Sequence, residues 1–283
     1  MEQIAEIAPL RAKIARWRLA GEKIAFVPTM GNLHQGHLEL VRQARTRAAR
    51  VVASIYVNPT QFGAGEDLDA YPRTLQQDCD LLVAEGCDLL FTPNDRVMYG
   101  TDKRSSLTRV EVPGISDQLC GASRPGHFVG VATVVTKLFN IVQPDLALFG
   151  EKDFQQLLVI RRLVEELNLP VEIVGIPTYR ESDGLAMSSR NGYLSVEERE
   201  KAPALNRLLQ SMCRQLLDGA ENFAQLQQAG IEQLKVAGLE PDYLEIRSQM
   251  LEMPKQGDKD LVILAAARLG STRLIDNCPL HLR

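Results

Sequence analysis

Short apolar runs alternate with longer amphipathic segments through the first 176 residues of this chain. Five apolar runs predict buried strands, at residues 23–29, 51–57, 88–91, 145–149 and 171–176. Between them apolar residues recur at helical spacing, in segments that begin at His37 and Leu75 and in residues 128–142 and 154–167. Alternation of strand and helix favours parallel strands joined by helical crossovers. The pattern therefore predicts an α/β fold with a parallel sheet.

The pattern changes after residue 178. Two polar amphipathic helices are predicted at 196–218 and 222–237, and two strands at Tyr243–Arg247 and Leu261–Ala267, with Arg273–Ile275 as a candidate third. This part of about 100 residues predicts a smaller α+β domain, whose boundary lies near Pro177–Gly184.

Composition excludes several classes of protein. The 36 Asp and Glu against 32 Lys and Arg argue against a protein that coats nucleic acid. The longest apolar run, Leu261–Ala267, is far shorter than the ~20 residues of a membrane helix. The N-terminal residues have no apolar region of the kind that a signal sequence needs. An odd number of cysteines without a C-x-x-C pair indicates a reducing compartment. We expect a cytoplasmic protein with neither nucleic-acid nor membrane partners.

The strongest local signal is the segment Pro28–His37, which joins the first predicted strand to the first predicted helix. Ligands of open α/β sheets bind beyond the carboxyl ends of the strands, and helix N-termini favour phosphate. His34 and His37 can donate hydrogen bonds to phosphate oxygens, and Gly31 and Gly36 let the backbone approach a ligand. One alternative is a histidine pair that only caps the helix. Another is a zinc site, which lacks a third Cys or His at ligand spacing.

Two further segments have weaker signals. Gly150–Gln156 also follows a predicted strand, and there Lys152 offers a cation to a phosphate and Gln156 a polar contact. A solvated charged helix cap is an equally good interpretation of this segment. Asp183–Asn191 combines hydroxyls with an arginine on a loop that can fold over a triphosphate, although such a loop is also typical of a solvent-exposed turn.

Loops elsewhere in the first half add polar side chains to the same predicted edge. Gln61 follows the second strand and is expected in the same crevice as His34. Arg124 lies in the loop-rich stretch 94–127, a length that is usually functional, and is either a partner for a carboxylate or phosphate or a surface arginine. Tyr71–Arg73 fits simple loop packing equally well.

Six segments together indicate a family. They are Pro28–His37, Asn58–Phe62, Tyr71–Arg73, Arg124–Phe128, Gly150–Gln156 and Asp183–Asn191. In order and spacing they closely resemble the pantothenate synthetase (pantoate–β-alanine ligase) family over nearly the whole chain. The histidine motif alone is typical of the wider nucleotidyltransferase and class I tRNA-synthetase superfamily. Met187–Arg190 resembles that superfamily's Lys-Met-Ser-Lys-Ser loop.

The resemblance implies a Rossmann-like, doubly wound domain over 1–178 that binds nucleotide and pantoate, and a smaller α+β domain over 179–283 that closes over the ATP site. It also implies ATP-dependent ligation of (R)-pantoate and β-alanine to pantothenate, through a pantoyl adenylate, with release of AMP and pyrophosphate, for coenzyme A synthesis. ATP is then a substrate with Mg²⁺, no prosthetic group is implied, and the protein is a homodimer. Because an acyl adenylate is water-labile, we expect a closing loop, with 180–191 as the candidate.

The matching positions imply the site residues. ATP-binding positions are Met30, Gly31, His34, His37, Gly150, Lys152, Asp153, Tyr179, Met187, Ser188, Ser189 and Arg190. His37, at the position of the family's proton donor, His34 and Lys152 are the catalytic positions. Gln61 and Gln156 bind pantoate, and Gln61 also binds β-alanine. Attack of a carboxylate on an anionic phosphate needs charge neutralisation, which we expect from positive histidines, Lys152, Arg190 and Mg²⁺.

Two other functions stay open from the sequence. A nucleotidyltransferase that acts on a phosphorylated alcohol would share the histidine pair, but it needs a cationic pocket where this chain has Gln61 and Gln156. A non-catalytic nucleotide sensor would bind ATP and have no use for the two histidines.

Overall fold

The chain divides into two compact units in a computed structural model that describes residues 1–100, 108–255 and 257–282. Unit 1 comprises Met1–Glu151 and Gln156–Pro177, and unit 2 comprises Lys152–Gln155 and Thr178–Arg283. The chain therefore passes from one unit to the other three times, and a short stretch after the fifth strand belongs to unit 2.

A six-stranded parallel sheet forms the centre of unit 1. Its strands are β1 (Glu2–Ile4), β2 (Ile24–Thr29), β3 (Arg50–Ile55), β4 (Leu89–Phe91), β5 (Leu146–Gly150) and β6 (Glu172–Ile176). Their order is β1-β4-β3-β2-β5-β6, and every pair is parallel. The predicted α/β class with a doubly wound parallel sheet is confirmed. The edge strand β1 was not predicted, since three residues give no readable period.

The strand order reverses direction between β2 and β5. From β2 the chain proceeds outward through β3 to β4, whereas β5 pairs with the other side of β2 and is followed outward by β6. Ala25, Phe26 and Val27 of β2 have no exposed surface, as expected for the centre of a parallel sheet covered on both faces. Loops that diverge at such a reversal leave a crevice at the carboxyl ends of the strands.

Seven helices accompany these strands in the described residues. They are α1 (Ile7–Leu19), α2 (Gln35–Arg45), α3 (Leu75–Ala84), α4 (Asp95–Tyr99), α5 (Cys120–Ser123), α6 (His127–Val142) and α7 (Phe154–Glu166). The predicted loop-rich stretch 94–127 contains two short helices, and its residues 101–107 lie outside the described residues. Helix α1 was not predicted, although Leu10, Ile14 and Trp17 are buried at helical spacing.

Among the described residues, unit 2 contains three helices, of which the second and third pack against an antiparallel sheet. The helices are α8 (Val196–Lys201), α9 (Ala204–Leu217) and α10 (Phe223–Val236), and the strands β7 (Glu240–Ser248), β8 (Asp260–Leu269) and β9 (Thr272–His281), in that order. The candidate third strand is present and longer than predicted. The single helix predicted at 196–218 is wrong: it is two helices, because Pro203 has no N–H to donate and its ring obstructs the preceding turn.

A disulfide joins Cys213 of α9 to Cys278 of β9. This pairing differs from the expectation of reduced cysteines. The packing of α9 against β9 brings together two cysteines that are 65 positions apart. A separation of this length in the sequence does not predict a pairing. Cys79 and Cys87 have free thiols.

None of the helices in the described ranges combines the length and the hydrophobicity needed to cross a bilayer.

An ion pair in unit 2 generates a stability prediction. Arg180 pairs with Asp276 through two hydrogen bonds of 2.7 and 2.9 Å, and the Asp276 side chain is 2% exposed. Arg180→Met leaves this buried carboxylate without its cation and is expected to lower the free energy of unfolding by about 3 kcal/mol in urea titrations. The matched control is Arg162→Met, which breaks an exposed pair with Glu166 and should cost less than about 1 kcal/mol. Equal losses in the two variants would contradict the prediction.

Candidate active site

A tight turn follows β2 at the carboxyl edge of the sheet. The Thr29 hydroxyl donates to the Ser54 carbonyl at 2.8 Å and accepts from the Gly31 N–H at 3.2 Å. Gly31 has a φ of +82°, and a Cβ there would lie 3.0 Å from Ile55 Cγ2 and 3.1 Å from Asp78 Oδ2. Only glycine fits this backbone and this space, so the chain turns sharply into α2.

Both histidines of the motif cap helix α2. Nδ1 of His34 accepts a hydrogen bond from the Gly36 N–H at 3.1 Å, and Nδ1 of His37 accepts one from the His34 N–H at 3.3 Å. The two rings are 4.0 Å apart between centroids. A ring nitrogen that accepts an N–H carries no proton, so each neutral imidazole has its proton on Nε2.

The capping geometry changes what these rings offer a ligand. The interpretation of the pair as helix caps is correct, and the capping atom is Nδ1 in both rings. Nε2 is the other ring nitrogen, and in a neutral ring it is the atom that can donate to a ligand oxygen. The positive charge expected on the histidines stays a prediction. Both rings lie at a helix N-terminus, whose dipole adds partial positive charge.

Gln61 lies beside Met30, in a 3₁₀ turn (Pro59–Gln61). Its Nε2 donates to Met30 Sδ at 3.2 Å, and its Oε1 accepts from Asn58 Nδ2 at 3.0 Å. Asn58 is 1% exposed; its Nδ2 also donates to the Gly130 carbonyl, and its Oδ1 accepts from the Tyr99 hydroxyl at 2.7 Å. The Gly130 carbonyl can only accept, so Asn58 directs its NH₂ group at Gly130 and at Gln61. The Gln61 side-chain oxygen therefore faces Asn58, and its NH₂ group faces Met30.

A charged network supports the backbone of Gln61. Arg124 pairs with the Glu66 carboxylate through Nε and Nη2 at 2.7 and 2.6 Å. Nδ1–H of His127 donates to the Gln61 carbonyl at 2.8 Å, while its Nε2 accepts from Arg124 at 3.1 Å. The Arg124 guanidinium lowers the pKa of the Glu66 carboxyl below its usual value. Arg124, an open candidate for ligand binding, is thus paired with a carboxylate of the protein itself.

Gly150 ends β5 and pairs with Ile176 at the carboxyl edge of the sheet. Because all strands are parallel, this edge also contains the ends of β2 and β3, from which the histidine motif and Gln61 follow. Gln156 lies half-buried in the first turn of α7. The structure thus groups Met30 with Gln61 and His34 with His37, and the pantoate role of Gln156 stays a prediction.

The remaining predicted residues belong to unit 2. Lys152 Nζ lies 3.7 Å from Asp153 Oδ2, and the Lys152 side chain is 18% exposed. Its main-chain carbonyl accepts from Asn277 Nδ2 at 2.9 Å. The neighbouring carboxylate agrees with the interpretation of a charged helix cap, and convergence of this lysine with the histidines on one nucleotide stays a prediction.

The loop 180–191 begins and ends with local hydrogen bonds. The Tyr179 carbonyl accepts from the Met187 N–H at 2.9 Å, and Tyr179 itself is 38% exposed. Ser188 Oγ accepts from the Arg190 N–H at 3.3 Å and caps a 3₁₀ turn that begins at Ser189. All four motif residues, Met187–Arg190, are half-buried.

Ion pairs anchor the same loop within unit 2. Arg199 of α8 donates to Glu181 at 2.7 Å and to Asp183 at 2.6 Å, and its hydrogen bond lowers the pKa of the Asp183 carboxyl. Asn191 Nδ2 donates to the Ala186 carbonyl at 3.1 Å. These contacts tie the loop to its own unit, and its closure over the ATP site stays a prediction.

Comparison with known proteins assigns the chain to a family. The sequence profile of the pantoate-beta-alanine ligase family matches residues 2–279. The chain belongs to this family. The pantothenate synthetase of Pseudomonas fluorescens (strain Pf0-1) is 58% identical over 100% of this chain and 99% of its own length. That of Ectopseudomonas mendocina (strain ymp) is 60% identical over 98% of this chain and 97% of its own.

Solved structures of pantoate-beta-alanine ligases agree with this assignment. The pantothenate synthetase of Thermus thermophilus is 47% identical and superposes with a TM-score of 0.91 over 99% of this chain and 100% of that one. The Francisella tularensis enzyme, solved with beta-gamma ATP and beta-alanine, is 33% identical with a TM-score of 0.81 over 99% and 97%. The family resemblance is confirmed, and the chain is an enzyme, a ligase of pantothenate biosynthesis.

Two residues that shape the site were missed. Asn58 stood in a recognised segment, but its orientation of Gln61 depends on partners elsewhere in the chain. Asp78 gave a usable signal: it is one turn before Leu82 on α3, and both are buried. A carboxylate on the buried face of an amphipathic helix needs a partner, so the sequence pattern alone predicts a specific contact for Asp78.

Gly130 of α6 packs directly against the turn that contains Gln61. A Cβ at Gly130 would lie 2.4 Å from the Thr60 carbonyl oxygen and 2.7 Å from Gln61 Cα. Gly130→Ala is therefore expected to displace Gln61 and raise the KM for pantoate about tenfold, even though alanine favours helices. The control Gly63→Ala adds the same methyl group at ordinary contact distance, 3.6 Å from Glu66, and should leave KM unchanged. An unchanged KM in Gly130→Ala would contradict the prediction.

Proposed function

We propose that this enzyme joins (R)-pantoate to β-alanine through a pantoyl adenylate and releases pyrophosphate and AMP. The observation that carries the proposal is the pair of Nε2–H donors, on His34 and His37, at the N-terminus of α2 and beside the reversal of strand order. Membership in the pantoate-beta-alanine ligase family supports the choice of substrates.

The first step is attack of a pantoate carboxylate oxygen on the α-phosphorus of MgATP. A carboxylate–phosphorus bond forms, the bond from the α-phosphorus to the β-bridging oxygen breaks, and pyrophosphate leaves with the electron pair. Mg²⁺ enters as part of the nucleotide substrate. Among the residues that the structure describes, no three His, Cys, Asp or Glu side chains are grouped to hold a metal ion.

The histidines act on the charge that develops during this step. Nε2–H of His34 and of His37 would donate to phosphate oxygens as their negative charge grows, and we assign the family's proton-donor role to His37. Donors already oriented by the helix caps need no rearrangement in the transition state, which is the condition for strong electrostatic catalysis. The helix dipole acts in the same direction.

The unit 2 residues are assigned from the family resemblance and their chemistry. Lys152 and Arg190 would place cations on the phosphates, and Asp153 would contact the ribose. The other proposed nucleotide contacts are Met30, Gly31, Gly150, Tyr179, Met187, Ser188 and Ser189.

Gln61 and Gln156 are the proposed pantoate ligands. Gln61 has the clearer structural basis, because Asn58 fixes which end of its amide faces Met30. Neutral amides orient a carboxylate without forming the tight ion pair that would weaken it as a nucleophile.

In the second step the amine of β-alanine attacks the acyl carbon of the adenylate. A C–N bond forms, the C–O bond to AMP breaks, and the amine loses a proton. Gln61 is the proposed β-alanine contact. The Francisella relative was solved with beta-gamma ATP and beta-alanine, which supports both as substrates here. We also propose the homodimer that the family resemblance implies, which light scattering on the purified chain can test.

Isotope exchange tests the proposed function. Labelled pyrophosphate is expected to exchange into ATP when pantoate is present and β-alanine is absent, because the adenylate forms before the amine reacts. AMP should accumulate only when both pantoate and β-alanine are supplied. Absence of pantoate-dependent exchange would refute the proposal. ATP binding without exchange would indicate a sensor, and nucleotidyl transfer to a phosphorylated alcohol would indicate the other enzyme class.

Substitution of His37 separates the cap from the donor. His37→Ala should keep the fold and lower the exchange rate about 10²–10³-fold, because one oriented donor is lost. His37→Asn keeps an acceptor near the position of Nδ1, so it should recover about 1 kcal/mol of stability without recovering activity. A near-normal exchange rate in either variant, measured beside thermal unfolding, would count against the role assigned to His37.

A further inference from the structure

The carboxylate of Asp78 binds the loop that precedes the histidine motif. Asp78 is in the first turn of α3 and is 1% exposed. Its Oδ2 accepts from the Asn32 N–H at 2.9 Å, and its Oδ1 accepts from the Leu33 N–H at 2.8 Å. The Thr74 hydroxyl lies 3.2 Å from both oxygens. Both oxygens are therefore occupied by donors, as a buried carboxylate requires.

The loop held in this way is strained. Gly31 and Asn32 both have positive φ, at +82° and +50°, and the next two residues are Leu33 and the N-cap His34. Positive φ at a non-glycine residue is uncommon and persists where the surroundings hold it in place. The two hydrogen bonds from Asp78 fall on Asn32 and Leu33, immediately before the capping histidine.

The same hydrogen bonds determine how an anion can be bound here. The N–H groups of Asn32 and Leu33 point at Asp78, so they are not directed at a nucleotide phosphate. The Asp78 carboxylate bound to this loop also repels a phosphate placed next to it. Anion binding at this turn therefore depends on the histidine Nε2–H groups and the start of α2, and on their exact placement.

We propose that Asp78 is a positioning residue for adenylation: it fixes residues 31–33 so that His34 and His37 direct their Nε2–H groups at the ATP phosphates. Because Asp78 is 1% exposed and both its oxygens are hydrogen-bonded, we assign its effect to the loop. This inference rests on the proposed function. Pantoate-dependent pyrophosphate exchange is therefore measured first in the wild-type enzyme, so that failure of the proposed function is distinguishable from failure of the role of Asp78.

The test is Asp78→Asn. An asparagine keeps the shape but turns an NH₂ group toward a backbone N–H, so one of the two loop contacts is lost. The pantoate-dependent pyrophosphate exchange rate should fall about 10- to 100-fold, since small misplacements of catalytic groups are costly. The KM for pantoate should stay within twofold, and the amide resonances of Asn32 and Leu33 should shift upfield in ¹H–¹⁵N spectra.

Asp88→Asn is the matched control. Asp88 also accepts a backbone N–H, from Val51 at 2.8 Å, but it precedes β4 at the amino edge of the sheet and pairs with Arg50. Its replacement should lower stability without changing the exchange rate of the folded enzyme. If both variants lose exchange equally, general destabilisation explains the result and the proposal is overturned.

Two further results would overturn it. Normal exchange in folded Asp78→Asn would show that the loop contacts are dispensable. A raised KM for β-alanine with normal exchange would make Asp78 a ligand of the amine, since exchange does not involve β-alanine. If Asp78→Asn does not fold, Thr74→Val decides: it removes only the hydroxyl that orients the carboxylate and should lower exchange about threefold, and unchanged exchange overturns the proposal.

Discussion

Parallel pairing of β2 with both β3 and β5 is the constraint on which the site in unit 1 depends. Because the three strands share a direction, the segments that follow them all start at one edge. Since the chain leaves β2 and β5 toward opposite sides, those segments also diverge and leave space for a ligand. The histidine motif, the turn at Gln61 and the end of β5 come to this edge as a consequence of hydrogen-bond direction in the sheet, before any side chain makes a specific contact.

In the histidine motif, the capping role and the proposed catalytic role use different ring nitrogens. Each ring uses Nδ1 to satisfy a backbone N–H that the first turn of α2 leaves without a helical partner, so a neutral ring carries its proton on Nε2. The cap is what selects the tautomer.

Much of the fold was readable from the sequence, because buried strands and amphipathic helices leave a local period. Elements with short or mixed patterns were not: β1 has three residues, and the division between α8 and α9 depended on Pro203. In the site, the motif residues were found, but the partners that orient them were not. Asp78 binds residues 45 and 46 positions away, and Arg124 binds Glu66 58 positions away. Such contacts arise only when the packed fold joins distant segments, and no local pattern records them.

The hydrogen bond from Asn277 to the main chain of Lys152 has a practical consequence for recombination between relatives. Residues 152–155 belong to unit 2 although the sequence on both sides of them belongs to unit 1. A chimera spliced once, at residue 177, would combine this tetrapeptide from one parent with its asparagine partner from the other. Exchange of the smaller unit therefore calls for three splices, after residues 151, 155 and 177, so that the tetrapeptide and β9 come from the same parent.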